Sequence, residues 1–204
     1  MNRRLCPWAA ALGAALALGG CVSLFPKQPP EQLYRFGPPP ATVTGVRAAR
    51  FTVIEDRLGF NEAADGDRIL TVAGDKVAYI KGGRWVATAP TLFQQALESA
   101  FDEAGGPARL APRGTASKAD LELRLDVSRF EVRYAAGAAP TILVRVHASL
   151  VGYEKRSPAG ARDFQAEIPA SGDRLGAIVQ AFDQATTQVL GQIVAWVGQS
   201  GPPG

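Results

Sequence analysis

Cysteine and histidine are scarce in this chain. Its 204 residues include two cysteines, Cys6 and Cys21, and a single histidine, His147. A structural zinc site takes four ligands that are mostly cysteine and histidine side chains, so three such residues exclude one. We therefore expect no metal-binding residues in this chain.

Long hydrophobic runs are also missing. After the basic start Met1-Asn2-Arg3-Arg4, the run Leu5–Leu18 is about 14 residues long, whereas a membrane-spanning helix needs roughly 20. A basic start, a short apolar core and small residues before a break are typical of a secretory signal peptide. We expect this signal to cover residues 1–20. A permanent membrane helix is the weaker interpretation.

The signal ends at Leu18-Gly19-Gly20-Cys21 and not at an Ala-x-Ala site. This ending resembles the bacterial lipobox, in which the cysteine takes a diacylglycerol and the chain is cut just before it. Cleavage is then expected between Gly20 and Cys21, with a covalent lipid on Cys21 and no other cofactor. The usual pattern has Ala or Ser where Gly19 stands, and an ordinary secreted protein is the alternative. Two or more acyl chains on Cys21 anchor a protein stably to a bilayer.

Charge of one sign is not in excess. Cleavage removes Arg3 and Arg4 from the 22 basic residues, which leaves 20 against 19 acidic residues and a net charge of +1. No basic block stands out, so nucleic acid is not an expected partner. Because Cys21 is the only cysteine after cleavage, the mature domain has no disulfide.

The remaining chain predicts three segments. Residues 21–31 carry the lipidated cysteine and a proline-rich tether, 32–198 form a single α+β domain, and 199–204 form a mobile tail. Short strands are predicted at 32–36, 50–54, 68–72, 76–80 and 109–111, and Gly74-Asp75 predicts a hairpin between two of them. Gly82-Gly83 is interpreted as a turn.

Two helices and a strand meander complete the pattern. The first helix begins at Thr88 and is stopped by Gly105-Gly106-Pro107. The alternation of Leu121, Leu123, Leu125 and Val127 changes phase before Phe130, which predicts a β-bulge near Ser128-Arg129. Strands at 141–153 and 162–168 follow. An amphipathic helix at 173–197 carries its apolar stripe on one side, and we expect this stripe to pack on the sheet.

This order of strands, helix, strands and helix predicts an α+β two-layer sandwich. Two helices would pack on one face of a largely antiparallel sheet. About 184 residues after cleavage are enough for one domain with a sizeable core.

Catalytic candidates are few. His147 lies mid-strand and is expected on the solvent side or hydrogen-bonded. The acidic pairs Glu55-Asp56, Asp65/Asp67 and Asp102-Glu103 lie at element ends or in loops, where acids are usually solvated. No nucleophile-elbow or phosphate-loop motif is present. A glycosidase-type pair of acids stays open as an alternative, but we expect no catalytic residues.

Trp85 has two interpretations. It follows Gly82-Gly83 and precedes the first helix. The simpler interpretation is an anchor that holds this helix to the sheet. The functional alternative is an exposed aromatic side chain at an interaction surface.

The order of these motifs resembles a known family, the ABC-type transport auxiliary lipoproteins, which include the paraquat-inducible protein C group. The similarity lies in the lipobox cysteine, Tyr34-Arg35-Phe36, Asp67-Arg68-Ile69, Tyr79 and Trp85, followed by a helix, a meander and an amphipathic last helix. It spans roughly 21–197. Phe36 replaces the leucine that the family usually has.

The resemblance implies a non-catalytic, periplasm-facing lipoprotein of the cell envelope that assists an ABC-type transporter. Such systems commonly include proteins with mammalian-cell-entry domains and move lipids between membranes. Val22 after the lipidated cysteine suggests the outer membrane. The expected partners are the membrane, through the lipid, and these transport proteins, while a homo-oligomer stays open. An envelope-assembly lipoprotein, for lipopolysaccharide or another complex, and a lipoprotein hydrolase are the alternatives.

Overall fold

The structure is a computed structural model that describes residues 30–37, 49–111 and 119–201. The signal peptide, the cleavage site Gly20/Cys21 and most of the tether lie outside the described residues. The chain divides into two compact units, Met1–Pro30 and Glu31–Gly204, and nearly all described residues belong to the second.

Eight strands and two helices make up the described part of this second unit. In chain order they are β1 (Gln32–Tyr34), β2 (Phe51–Phe60), β3 (Arg68–Ala73), β4 (Lys76–Trp85), α1 (Ala89–Ala104), β5 (Ala108–Ala111), β6 (Leu121–Arg133), β7 (Thr141–Gly152), β8 (Pro158–Pro169) and α2 (Leu175–Ser200). A 3₁₀ turn at Glu62–Ala64 follows β2.

The meander β6–β7–β8 forms the longest part of the sheet, and both of its pairings are antiparallel. The register of β6 against β7 shifts between Val127 and Arg129. This confirms the predicted bulge. Because the shift occurs there, Leu121, Val127 and Phe130 all reach the same buried side, although the spacing between them is not a multiple of two throughout.

The other edge of β6 is shared by two groups of strands. Its first half pairs in parallel with β2, which pairs in parallel with β5. Its last two residues pair in parallel with β3. β3 and β4 form the predicted hairpin, and β1 adds to β4 in parallel. The sheet is therefore mixed, with its longest ladders antiparallel.

Both helices pack on the same face of the sheet. The ring of Phe130 lies 6.4 Å from Phe93 of α1 and 4.9 Å from Phe182 of α2, measured between centroids. The helices thus meet over one strand, which confirms the two-layer α+β sandwich. No helix in the described ranges is long and apolar enough to cross a membrane.

Several predicted boundaries were wrong. Strand β2 runs to Phe60 and not to residue 54, and β8 begins at Pro158 and not at residue 162. Gly82-Gly83 does not form a turn but lies inside β4. Gly82 has a φ of +82°, and a Cβ on Gly83 would overlap the Leu175 side chain. The glycines therefore let β4 bend and approach α2 closely while the strand continues. Helix α2 also ends three residues beyond the predicted Val197, at Ser200.

Candidate functional site

Trp85 lies in the core and is not part of an exposed surface. It is 2% exposed, and its ring contacts Phe36, Phe130 and Phe182 at centroid distances of 5.0, 6.3 and 5.2 Å. The bend of β4 at its glycines turns Trp85 inward just before α1. The interpretation of Trp85 as an exposed interaction residue is therefore wrong. Trp85 does anchor the core, but its described ring contacts join the sheet to α2 and not to the first helix, for which the anchor was predicted.

The N-terminal segment of the domain is fixed between the two helices. Phe36, 2% exposed, belongs to the aromatic cluster around Trp85. The backbone N–H of Gly37 donates to Asp183 Oδ1 of α2 at 2.8 Å. Gly37 has a φ of +77°, and a Cβ there would lie 2.7 Å from the Cβ of Ala96 in α1. Only glycine fits this position without displacing a helix.

The side of the sheet that faces away from both helices, here called the open face, is polar. The side chains of β6 that alternate with the buried leucines point to the open face. The residues of β7 and β8 that pair with them across the sheet also point to the open face. Its described charged residues are Glu122, Arg124, Asp126, Arg129, Glu131, Arg133, Arg145, His147, Asp163 and Glu167.

Glu122 is the most buried of these acids, at 3% exposure. Its carboxylate accepts from Arg124 Nη2 at 3.2 Å and forms a second ion pair with Arg156. Arg124 also donates to Asp56 Oδ2 at 2.7 Å. Arg156 has a φ of +51°, which is unusual for a residue with a side chain. This network compensates the desolvation of Glu122 and links β2, β6 and the turn after β7.

His147 pairs with an acid on the open face. Its Nδ1 lies 2.7 Å from Asp163 Oδ1 across the β7–β8 pairing, and both side chains are more than half exposed. The prediction of a solvent-side, hydrogen-bonded strand residue is confirmed. The pair lacks burial and is flanked by Asp126 and Arg145, so the described geometry is that of an exposed surface hydrogen bond.

Tyr134 connects the sheet to the start of α2. Its hydroxyl donates to Asp173 Oδ1 at 2.8 Å. Burial raises the pKa of Tyr134 to about 12, and the hydrogen bond and negative charge of Asp173 act in the same direction. The phenol is therefore a stable donor across the physiological range and not an acid–base group.

The acidic pairs singled out in the sequence lie apart from one another. Glu55 is buried in β2, Asp56 pairs with Arg124, and Asp67 pairs with Arg84 at 3.3 Å. In the described ranges, no group of three or more histidine, cysteine, aspartate or glutamate side chains is placed to hold a metal ion.

Sequence reasoning missed the burial of Glu55, Glu122 and Glu131, which are all below 8% exposure. For Glu122 and Glu131 the reason is alternation, because every second residue of a strand points away from the core and an acid there is expected to be solvated. Glu55 was expected just after a strand that ended at residue 54, whereas β2 continues and pairs Glu55 with the buried Leu123. The arginines at 124 and 129 could have indicated the burial of Glu122 and Glu131, because an arginine side chain that pairs with an acid also shields it from solvent.

Comparison with known proteins identifies the family. A family model described as "ABC-type transport auxiliary lipoprotein component" matches residues 34–194. No curated protein matches the sequence.

Solved structures share the fold. Protein XCC0632 from Xanthomonas campestris has a TM-score of 0.68 at 22% identity, covering 83% of this chain and 93% of its own. An uncharacterized protein has a TM-score of 0.65 at 13% identity, with coverages of 83% and 99%. The hypothetical protein CT253 from Chlamydia trachomatis reaches 0.51 at 11% identity, with coverages of 75% and 98%. At these identities the similarity shows the fold alone.

Proposed function

Because the chain belongs to the family of ABC-type transport auxiliary lipoprotein components, we propose that it is a non-catalytic, lipid-anchored subunit of an intermembrane lipid transport system. It faces the periplasm, is held to the outer membrane by the lipid on Cys21, and docks on a transport protein of the mammalian-cell-entry type.

One observation carries this proposal. The family match begins at Tyr34, the last residue of β1, and ends at Val194 in α2, so it includes β2 to β8, α1 and most of α2. A match of this extent concerns the whole folded unit and not a shared local motif.

Anchoring follows from the sequence at Cys21. Replacement of Cys21 by alanine removes the thiol that the lipid requires, so we expect the variant to leave the membrane fraction. Fractionation and mass spectrometry of the mature N-terminus measure this. A mature protein that starts at another residue and carries no lipid would contradict the anchor.

Tethering supports a docking role. A domain confined near a bilayer reaches a high effective concentration there without any new contact. A specific interface of standard size, about 1,600 Å² in total, is then sufficient. The near-neutral net charge after cleavage also fits a protein that binds proteins and not polyanions.

In-cell photo-crosslinking tests the partner. A photoreactive residue is placed at Arg145 on the open face and, separately, at Gln184 on the exposed side of α2. Products are identified by mass spectrometry. We expect a mammalian-cell-entry-domain protein among the products of at least one position. The matched control carries Phe130→Ala in addition, which removes a core ring and is expected to abolish specific capture.

Two results would count against the proposal. Repeated capture of a lipopolysaccharide or other envelope-assembly complex, without a transport protein, would favour the envelope-assembly alternative. Capture that is unchanged in the Phe130→Ala background would show that the folded domain is not the docking unit.

A further inference from the structure

The turn end of the β3–β4 hairpin combines exposed apolar and unpaired basic side chains. This segment, Ala73–Lys81, is called the hairpin tip. Val77 is 61% exposed, one of three large apolar side chains in the described ranges with more than half of their surface exposed. Lys76 directly precedes Val77 and Lys81 follows it by four residues. Neither lysine makes an ion pair with a described residue. Asp75 is the tip's one acid.

The first described residues enter the domain from the same end. β1 runs parallel to β4, with Gln32 opposite Gly83. Pro30 and Glu31 therefore precede β1 on the side toward which β4 begins, which is the side of the hairpin tip. Glu31, the residue before β1, pairs with Arg84 of β4 at 3.3 Å.

The lengths match. The tether is roughly ten residues, so it can extend about 30 Å from the lipid. From Gly83 back to Lys76, β4 extends about 23 Å at 3.3 Å per residue. The hairpin tip thus lies within reach of the surface that holds the anchor. The β7–β8 turn lies at the opposite end of β6, about 40 Å away along the strand.

We propose that the hairpin tip docks on the anionic phospholipid surface that holds the lipid anchor. The ammonium groups of Lys76 and Lys81 would bind headgroup phosphates, and Val77 would enter the boundary between headgroups and acyl chains. The two lysines outnumber Asp75, so the net charge of the tip suits an anionic surface. This inference rests on the lipidation of Cys21 in the proposed function.

The sequence offers a clean test. After cleavage, the only native cysteine is the acylated Cys21, so a cysteine introduced elsewhere is the only free thiol. Val77→Cys and, as the control, Lys155→Cys in the β7–β8 turn are each labelled with an environment-sensitive fluorophore. The intact mature lipoprotein is reconstituted into phosphatidylethanolamine–phosphatidylglycerol vesicles containing brominated lipid.

We expect emission from position 77 to shift to the blue and to be quenched by the brominated lipid. Emission from position 155 should remain that of an aqueous probe. Vesicles of phosphatidylcholine alone, or high salt, should reduce the quenching at position 77, because both weaken attraction of lysine to the surface.

A charge-reversal variant separates docking from tethering. Lys76→Glu together with Lys81→Glu, in the Val77→Cys background, should lose most of the quenching while the protein stays with the vesicles through its lipid. Reversal at Lys155 should leave the quenching at position 77 unchanged.

Two failures are distinguishable. An acylated, vesicle-bound protein whose probe at 77 is quenched no more than its probe at 155 overturns hairpin docking and leaves the lipoprotein function intact. A protein whose Cys21 is not acylated, and which does not sediment with vesicles, overturns the anchor and the docking together.

Discussion

At the scale of single residues, burial on the open face depends on arginine. Glu122 lies among exposed neighbours, yet Arg124 and Arg156 cover and neutralise it. An acid without these partners would be costly in this position, since an uncompensated buried charge is strongly destabilising. The strand pattern alone does not reveal this, because the two arginines come from different elements.

Glu122→Gln should lower the free energy of unfolding by about 1.5–3 kcal/mol, because two hydrogen bonds between charged groups become weaker or are lost. Equilibrium unfolding in urea measures the change. Glu154→Gln, in the exposed β7–β8 turn, is the matched control and should change stability by less than about 0.5 kcal/mol. Equal effects of the two variants would mean that the Glu122 network contributes nothing specific.

Tyr134 makes stability depend on pH in the alkaline range. Its pKa rises from 10 in the unfolded chain to about 12 in the fold, so the folded state favours the protonated phenol. This contribution is fully present below pH 10 and is lost as pH rises through about 12. Unfolding midpoints of wild type and Tyr134→Phe should therefore converge over this interval. A phenolate absorbance titration without a component near 12 would contradict the assignment.

At the scale of elements, periodicity predicted most of what the structure shows. The alternating leucines of β6 and their change of phase were sufficient to place the bulge. The stripe of α2 was sufficient to place the helix on the sheet. The parallel pairings of β2, β3 and β5 with their neighbours were not predicted, since pairing between distant strands depends on tertiary contacts and leaves no local pattern. Gly82-Gly83 was misinterpreted because glycine marks both turns and close backbone approach.

The apolar stripe of α2 should contribute unequally along its length. Phe182 is fully buried against Phe130 and Trp85, so Phe182→Ala should cost about 3–5 kcal/mol. Trp196 is only partly buried and packs on Phe164 at 5.6 Å, so Trp196→Ala should cost less. Urea unfolding of both variants measures this order. A normal unfolding midpoint for Phe182→Ala would contradict the packing described for the helix.

At the scale of the whole molecule, the segment after β1 fixes the N-terminal end of the domain to its core. The segment after β1 inserts Phe36 into the core and binds Asp183 through Gly37. Gly37 also lies against Ala96 of α1, so this segment is attached to both helices. The lipid on Cys21 stays a prediction from four residues of sequence. The buried attachment point was not predicted, because Phe36-Gly37 is followed by prolines and has no periodic context.

This arrangement predicts that anchorage and fold are both needed in the cell. Deletion of the gene should sensitise cells to detergent and to large antibiotics that the outer membrane normally excludes, because lipid transport maintains this barrier. The wild-type gene should restore resistance. Cys21→Ala should fail because the domain loses its confinement near the partner, and Phe182→Ala should fail in proportion to its loss of folded protein. Lys155→Glu, remote from anchor, core and hairpin tip, should complement fully.

Full complementation by Cys21→Ala at wild-type protein levels would show that confinement to the membrane is dispensable. A deletion that alters a metabolic step while the barrier stays intact would contradict the transport role.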